Sequence, residues 1–189
     1  MGFLSQEQLD SMGFAALGQQ VLISDKASIY NPAKISIGSH VRIDDFAILS
    51  AGEGGIWIGS YIHIACFCSF IGRGKIVLSD FSNISSRVSL YSSSDDFSGC
   101  FLTSPLVSDR YKKVRHDDVY LDKHVIVGSG CVILPGVRLE EGVAVGALSL
   151  VNKDCAAFGV YCGTPAKRIS ERQKNILKLE QDFLKVETQ

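Results

Sequence analysis

Aliphatic residues recur every six positions along most of the chain. Leu17, Ile23 and Ile29 form one series, Ile37, Ile43 and Leu49 the next, then Ile58, Ile64 and Phe70, then Leu78, Ile84 and Leu90. The rhythm resumes as Leu121, Val127, Ile133, Leu139, Val145 and Val151. A second track lies four residues after the first and reads Val21, Ala27, Ala33, Val41, Ala47, Ile62, Cys68, Ser82, Val88, Val125, Cys131, Val137, Val143, Ser149 and Cys155. This period fits neither a helix nor a free-standing strand, whose periods are about 3.6 and 2. It fits a solenoid of very short strands with a corner after each, three strands to a coil. Coils then stack at the ordinary inter-strand spacing of about 4.8 Å. One coil cannot bury its own apolar side, so several must stack.

Every break in the rhythm follows the third strand of a coil. The steps Ile29 to Ile37, Leu49 to Ile58, Phe70 to Leu78 and Leu90 to Leu121 span 8, 9, 8 and 31 residues. Four insertions therefore leave the prism at one corner. Two of the short ones are Gly-rich, "AGEGG" at 51–55 and "GRGK" at 72–75. The fourth, about 91–120, begins with "SSSDDFSG" at 92–99. A loop of that length leaving a rigid scaffold is a candidate for function. At the N-terminus, Ser5-Gln6-Glu7-Gln8 reads as a capping box, with Leu4 and Leu9 placed for a hydrophobic staple around a short helix closed near Gly13. Ile176, Leu179, Phe183 and Leu184 stand at helical spacing and predict a helix lying on the last coil. The expected organisation is all-β: a helical cap at 1–16, a parallel β-helix at 17–168 carrying the loop 91–120, and a C-terminal α-helix at 169–189.

Composition narrows the function classes. The 189 residues hold 19 Lys plus Arg against 20 Asp plus Glu, a balance that gives no reason to expect nucleic-acid binding. No apolar run reaches the roughly 18–20 residues of a membrane span, and no basic-then-apolar leader opens the chain, so a soluble cytoplasmic protein is expected. Of six cysteines, Cys68, Cys131 and Cys155 fall on the inward track, where a thiol serves as a small hydrophobe. Cys66 and Cys68 lack a second pair at zinc spacing. Asn83-Ile84-Ser85 matches a glycosylation sequon in a chain that nothing marks as secreted.

The repeated aliphatic-Gly pattern, "VGSGCVILPGV" at 127–137, "VAVGALSLVNKD" at 143–154 and "VYCGTPAKRI" at 160–169 together resemble the hexapeptide-repeat acyltransferases over about Leu17 to Ile169. The resemblance implies a left-handed parallel β-helix, coenzyme A as acyl carrier, and a homotrimer with active sites between subunits. "ASIYNPAKISIGSHVRIDDFAIL" at 27–49, "SNISSRVSLY" at 82–91 and "DDFSG" at 95–99 resemble, more narrowly, the bacterial N-acyltransferases of the viosamine and anthrose type. Those act on dTDP-4-amino-4,6-dideoxyglucose. This likeness implies an acetyl-CoA or other acyl-CoA co-substrate, a nucleotide-linked amino sugar, no metal, and a place in bacterial surface polysaccharide or O-antigen biosynthesis.

The chemistry divides on the acceptor. A sugar hydroxyl needs a general base, most often His. Many O-acetyltransferases of this family carry a His near the start of the long loop, where this chain has Asp95 and Asp96 and no His between His63 and His116. An amine titrates near 7.7–8.0 in the α-amino case and attacks without a strong base. It needs orientation and oxyanion donors. Asp95 is therefore expected to orient a sugar amine, with Asp96 as a secondary substrate contact. Arg42, His63 and Asn83 should stack as a polar ladder at one corner of successive coils, with Ser85 just beyond; they are candidate acceptor contacts, His63 also a fallback base. By the family likeness, coenzyme A should lie along the coils after Leu121, with close approach at Gly128, Gly130, Gly146 and Ala147. Gly163 and Pro165 belong to the same binding element, and Lys167 and Arg168 stand ready for the adenosine phosphates. His40, His116 and His124 read as surface residues, and "YKKVRH" at 111–116 as a weak phosphate candidate. The competing readings are a galactoside-type saccharide O-acetyltransferase, a β-helix carbonic anhydrase needing three zinc histidines, and a non-catalytic β-helix scaffold.

Overall fold

The computed structural model describes residues 2–187. The ends of the expected cap and tail, residues 1 and 188–189, lie outside them. The body is a parallel β-solenoid of about seven turns. Its first sheet stacks Ala16–Leu17, Ile35–Ile37, Ile56–Ile58, Ile76–Leu78, Val119–Leu121 and Arg138–Leu139. The second stacks Val21–Ile23, Val41–Ile43, Ile62–Ile64, Asn83–Ile84, Ile126–Val127, Ala144–Val145 and Gly159–Gly163. The third stacks Ser28–Tyr30, Ile48–Ala51, Ser69–Gly72, Ser89–Tyr91, Val132–Ile133 and Leu150–Val151. Like residues therefore lie over like: Ile43, Ile64, Ile84, Val127 and Val145 form one continuous inward column.

Both apolar tracks face the interior, and from Ile37 to Val151 every residue of the first track is buried. Leu17, Ala27 and Ile29 of the first coil are partly buried against it. Ala33 departs from the expectation: it is exposed in the 3-10 turn Pro32–Lys34, and Ile35 takes the inward place. Buried Ile56, Ile76 and Val119 do the same after the later insertions. Burial pushes the Cys68 thiol up to about 11 and that of Cys155 to about 12, as expected of inert packing residues.

A turn this tight needs a left-handed residue at the corner. Between the first and second sheets these are Gln20, His40, Tyr61, Phe81 and His124, with φ between 54° and 61°. That conformation costs a side-chain-bearing residue on the order of 1–2 kcal/mol. Stacked rings offset it: His40 on Tyr61 at 4.7 Å, Tyr61 on Phe81 at 4.9 Å, Phe81 on His124 at 5.3 Å. Between the second and third sheets the left-handed column is Phe46, Phe67, Arg87, Gly130 and Leu148.

The four insertions do emerge at one corner, between the third and first sheets, and they bond to one another. Asn31 Nδ2 donates to Ala51 O at 3.0 Å, Gly54 N to Arg73 O at 2.8 Å, and Arg73 N to Ser93 Oγ at 2.8 Å. The stack closes directly across the long loop, since Ile76–Leu78 pairs with Val119–Leu121 and Ser89–Leu90 with Val132–Ile133. The loop leaves through an antiparallel neck in which Ser93 faces His116 and Ser94 faces Arg115.

The ends differ in part from expectation. Helix α1, Gln6–Ser11, has both capping-box bonds and buries Leu9 over the first coil. Phe3 and Leu4 add an antiparallel crossing beside Ser24 and Ile23. At the far end, residues 169–171 are not helical: the strand Ala166–Glu171 runs antiparallel to Gly159–Gly163. Helix α2, Asn175–Glu187, does not lie across the last coil. It returns along the aromatic corner, where Phe183 meets Tyr61 edge-on at 5.2 Å and Phe81 at 6.2 Å. Glu180 accepts from His124 at 2.7 Å and also pairs with Lys123. His124, read from sequence as a surface residue, is thus buried beneath the helix.

Candidate active site

Strand register places Arg42, His63 and Asn83 in one outward row on the second sheet. They lie on the flat face rather than at a corner, because each is the middle or first residue of its strand and the turn begins two residues later. The residue that organises the row is one the sequence reading missed. Asp44 is buried at 7% exposure, and its carboxylate accepts from Arg42 Nε at 2.7 Å and from His63 Nε2 at 2.8 Å. Burial opposes its charge. The hydrogen bonds from His63 and Arg42 and the positive field of Arg42 outweigh that, and the carboxyl is held below its usual range.

Asp44 also belongs to a column. Ser24, Asp44, Ala65, Ser85, Gly128 and Gly146 each begin the corner after the second sheet, and each donates its N–H to the coil below at 2.8–3.0 Å. A signal was present in the sequence: five of the six are Ser, Ala or Gly, and only Asp44 is charged. Ser85 Oγ and the Asn83 side-chain amide make no hydrogen bond among the described residues. Ala147, beside Gly146, is exposed, and its N–H likewise donates to no group among them. The hairpin tip closes on the same corner, with Gly163 N donating to Ser149 Oγ at 3.0 Å and Thr164 Oγ1 to Leu148 O at 3.4 Å. Gly128, Gly130, Gly146, Ala147, Gly163 and Pro165 are therefore neighbours.

Several expectations change in this setting. A Cβ on Gly128 would stand 2.6 Å from Ala147 N, so the next coil already requires this glycine. Arg168 pairs with Glu171 at 2.6 Å, whereas Lys167 is exposed opposite Cys162. On the loop, Asp95 is exposed and its carboxylate has no partner among the described residues. Asp96 is spent on the loop itself: it accepts from Ser98 Oγ at 2.8 Å and from the N–H groups of Gly99, Cys100 and Phe101 at 3.0–3.2 Å. It shapes the turn rather than standing open to a substrate. In the 111–116 segment, Lys112 pairs with Asp109 at 3.0 Å, Arg115 with Asp117, and His116 with Ser93 at 2.8 Å. Lys112 and Arg115 are thus occupied by carboxylates, and His116 by a hydroxyl. Within one subunit, Asp95 and Ser85 leave different corners of the prism. No group of three or more His, Cys, Asp or Glu among the described residues is arranged to hold a metal ion.

No family model matches the chain. Whole proteins do. A dTDP-4-amino-4,6-dideoxy-D-glucose acyltransferase from Escherichia coli is 54% identical over 183 residues, 97% of this chain and 95% of that protein. The chain belongs to the sugar N-acyltransferases of the hexapeptide-repeat type.

A solved structure of such a sugar N-acyltransferase, AntD from Bacillus cereus with dTDP and 3-hydroxybutyryl-CoA, superposes at TM-score 0.94 with 48% identity, covering 99% of this chain and 98% of that one. Further structures of AntD are of variants at one aspartate and one serine, and a serine variant holds dTDP-4-amino-4,6-dideoxyglucose with coenzyme A. A Vibrio cholerae hexapeptide-repeat acetyltransferase superposes at TM-score 0.63 with 17% identity over 89% of this chain and 77% of its own, a likeness of fold alone. The solenoid of these N-acyltransferases is left-handed, as the sequence resemblance implied. Membership also removes the carbonic anhydrase and scaffold readings.

Proposed function

We propose that the chain transfers an acyl group from an acyl-coenzyme A thioester to the amine of a dTDP-linked 4-amino-4,6-dideoxysugar. The observation that carries this reading is the corner column from Ser85 through Gly128 to Gly146. Polar groups suited to a sugar stand two coils, about 10 Å, from the unspent Ala147 N–H, a donor suited to a thioester carbonyl. The amine nitrogen attacks the thioester carbonyl, a C–N bond forms as the C–S bond breaks, and the departing thiolate takes the proton. Asp95 binds and orients the amine, Ser85 and Asn83 hold the sugar, and the Ala147 N–H serves the carbonyl oxygen. Gly128, Gly130, Gly146, Gly163 and Pro165 flank the pantetheine arm, and Lys167 meets the adenosine phosphates. The unpartnered Asp95 and Ser85 supply the two residue types varied in the AntD structures.

The working unit on this reading is a homotrimer. A loop from one subunit then brings Asp95 to the Ser85 corner of the next, which one subunit alone does not do. Among the described residues no helix is long and apolar enough to cross a membrane. The reading places the enzyme in the bacterial cytoplasm, making sugars for surface polysaccharide.

A thiol-release assay tests the reading, with acetyl-CoA and 3-hydroxybutyryl-CoA as donors. Acceptors are a panel of nucleotide-linked 3- and 4-amino sugars and simple galactosides. Turnover is expected with dTDP-linked 4-amino sugars; turnover on galactosides alone overturns it. Asp95→Asn is expected to lower kcat/KM more than tenfold. A loss within about threefold, below ~1 kcal/mol, removes Asp95 from the mechanism.

A further inference from the structure

Asp44 is buried at the start of a corner, far from the long loop, and it is the charged member of the column that carries Ser85. We propose that Asp44 is a positioning residue: it holds His63 as the Nε2–H tautomer, so that Nδ1 is presented to the acceptor sugar as a hydrogen-bond acceptor. The inference rests on the acceptor site lying at the Ser85 corner.

The argument is one of donors and acceptors. An ionised carboxylate only accepts. Asp44 Oδ2 lies 2.8 Å from His63 Nε2, so that nitrogen must carry the hydrogen. In neutral imidazole the other nitrogen then has a lone pair and no hydrogen. His63 Nδ1 has no partner among the described residues, and the side chain is 43% exposed. The second carboxylate oxygen, Oδ1, is held by Arg42 Nε at 2.7 Å, so the carboxylate cannot swing away from the ring. Arg42 in turn lies with its guanidinium carbon 5.6 Å over the Phe3 ring. Parallel register sets His63 beside Asn83, about 4.8 Å away, with Ser85 two residues further along the same strand and turn. Asn83, Ser85 and His63 Nδ1 then form a set of adjacent hydrogen-bonding groups without partners among the described residues: Asn83 and Ser85 offer donors and acceptors, and Nδ1 adds an acceptor. An amine or hydroxyl hydrogen of the sugar is what such a group takes.

Three measurements test this together. Nitrogen-15 correlation spectra of the imidazole in the wild-type protein, which need no substrate, should show a protonated Nε2 and a pyridine-like Nδ1 in the neutral ring. Asp44→Asn should raise KM for the amino sugar and lower kcat/KM about tenfold or more, with KM for the acyl-CoA within twofold. In a His63→Ala background, the same Asp44→Asn change should cost nothing further for the sugar. A Nδ1–H tautomer in the wild-type protein overturns the proposal. So does an Asp44→Asn loss of equal size with and without His63, which marks a merely structural carboxylate. An enzyme that shows the Nε2–H tautomer but turns over no amino sugar separates the two ideas: the functional reading fails and the acceptor role falls with it, while the Asp44–His63 tautomer lock stands.

Discussion

At the scale of single residues, the column after the second sheet shows two demands meeting at one position. Gly128 was expected to let an extended pantetheine approach, but its own neighbour is closer: a methyl there would sit 2.6 Å from Ala147 N. Gly128→Ala is therefore expected to destabilise the fold by about 1–3 kcal/mol, the range for overpacking a tight interior. A lowered denaturant midpoint with unchanged m-value checks it, and an unshifted midpoint would return the glycine to a purely ligand-facing role. Asp44 makes the complementary point. The rule that a small residue begins this corner is broken once, by a buried charge, and the two partners that compensate it are Arg42 and His63. Asp95 and Asp96 were both expected to meet the substrate, Asp95 as the residue that orients the amine and Asp96 as a secondary contact. The structure separates them, since Asp96 is consumed by four donors of its own loop and Asp95 by none.

Among the elements, α2 departs furthest from the sequence expectation. Its apolar spacing was legible, but the surface it would meet was not. The last coil is already closed by the antiparallel hairpin Gly159–Gly163 and Ala166–Glu171, and the helix finds instead the exposed edge of a ring ladder. Its anchor is electrostatic as well as apolar. Burial works against the charge of Glu180, but bonds from Lys123 and His124 prevail and hold the carboxyl below its ordinary value of 4.5. A carboxyl depressed in the folded state stabilises above the unfolded pKa, and that contribution is lost as pH falls through the folded one. Amide-exchange protection of α2 should therefore decline as pH is lowered below about 4.5. Glu180→Gln should weaken protection at neutral pH and flatten that decline. Protection that falls equally in the variant would place the titration elsewhere.

For the whole molecule, the long loop is an insertion in the strict sense. The coils on either side of it pair as though it were absent. Its neck brings Ser94 opposite Arg115 in an antiparallel pair, a geometry that a two-residue Asn-Gly turn can close. Replacing 95–114 by that turn should leave a folded β-helix, with the far-ultraviolet circular dichroism unchanged and Tm lowered by no more than a few degrees. The same change should abolish acyl transfer, because it removes Asp95. A chain that fails to fold would show the loop to be structural, and one that keeps its activity would remove the loop from the site.

The sequence by itself determined the coil, the inward tracks, the shared corner of the four insertions and the candidacy of Asp95, Ser85 and His63. The coil, the tracks and the shared corner follow from local period: a six-residue repeat sets which side chains face inward, and parallel stacking in register then turns spacing along the chain into vertical neighbours; the candidacy of Asp95 came from the family resemblance and the His it lacks. The tertiary structure decided what no period encodes. It set which edge of the prism α2 returns to, that His124 lies beneath it, and that Asp44 of one coil reaches His63 of the next. It also showed that Asp96 is occupied within its loop. These depend on side-chain reach between segments and on which donors are already spent, quantities that exist only once the coils are stacked.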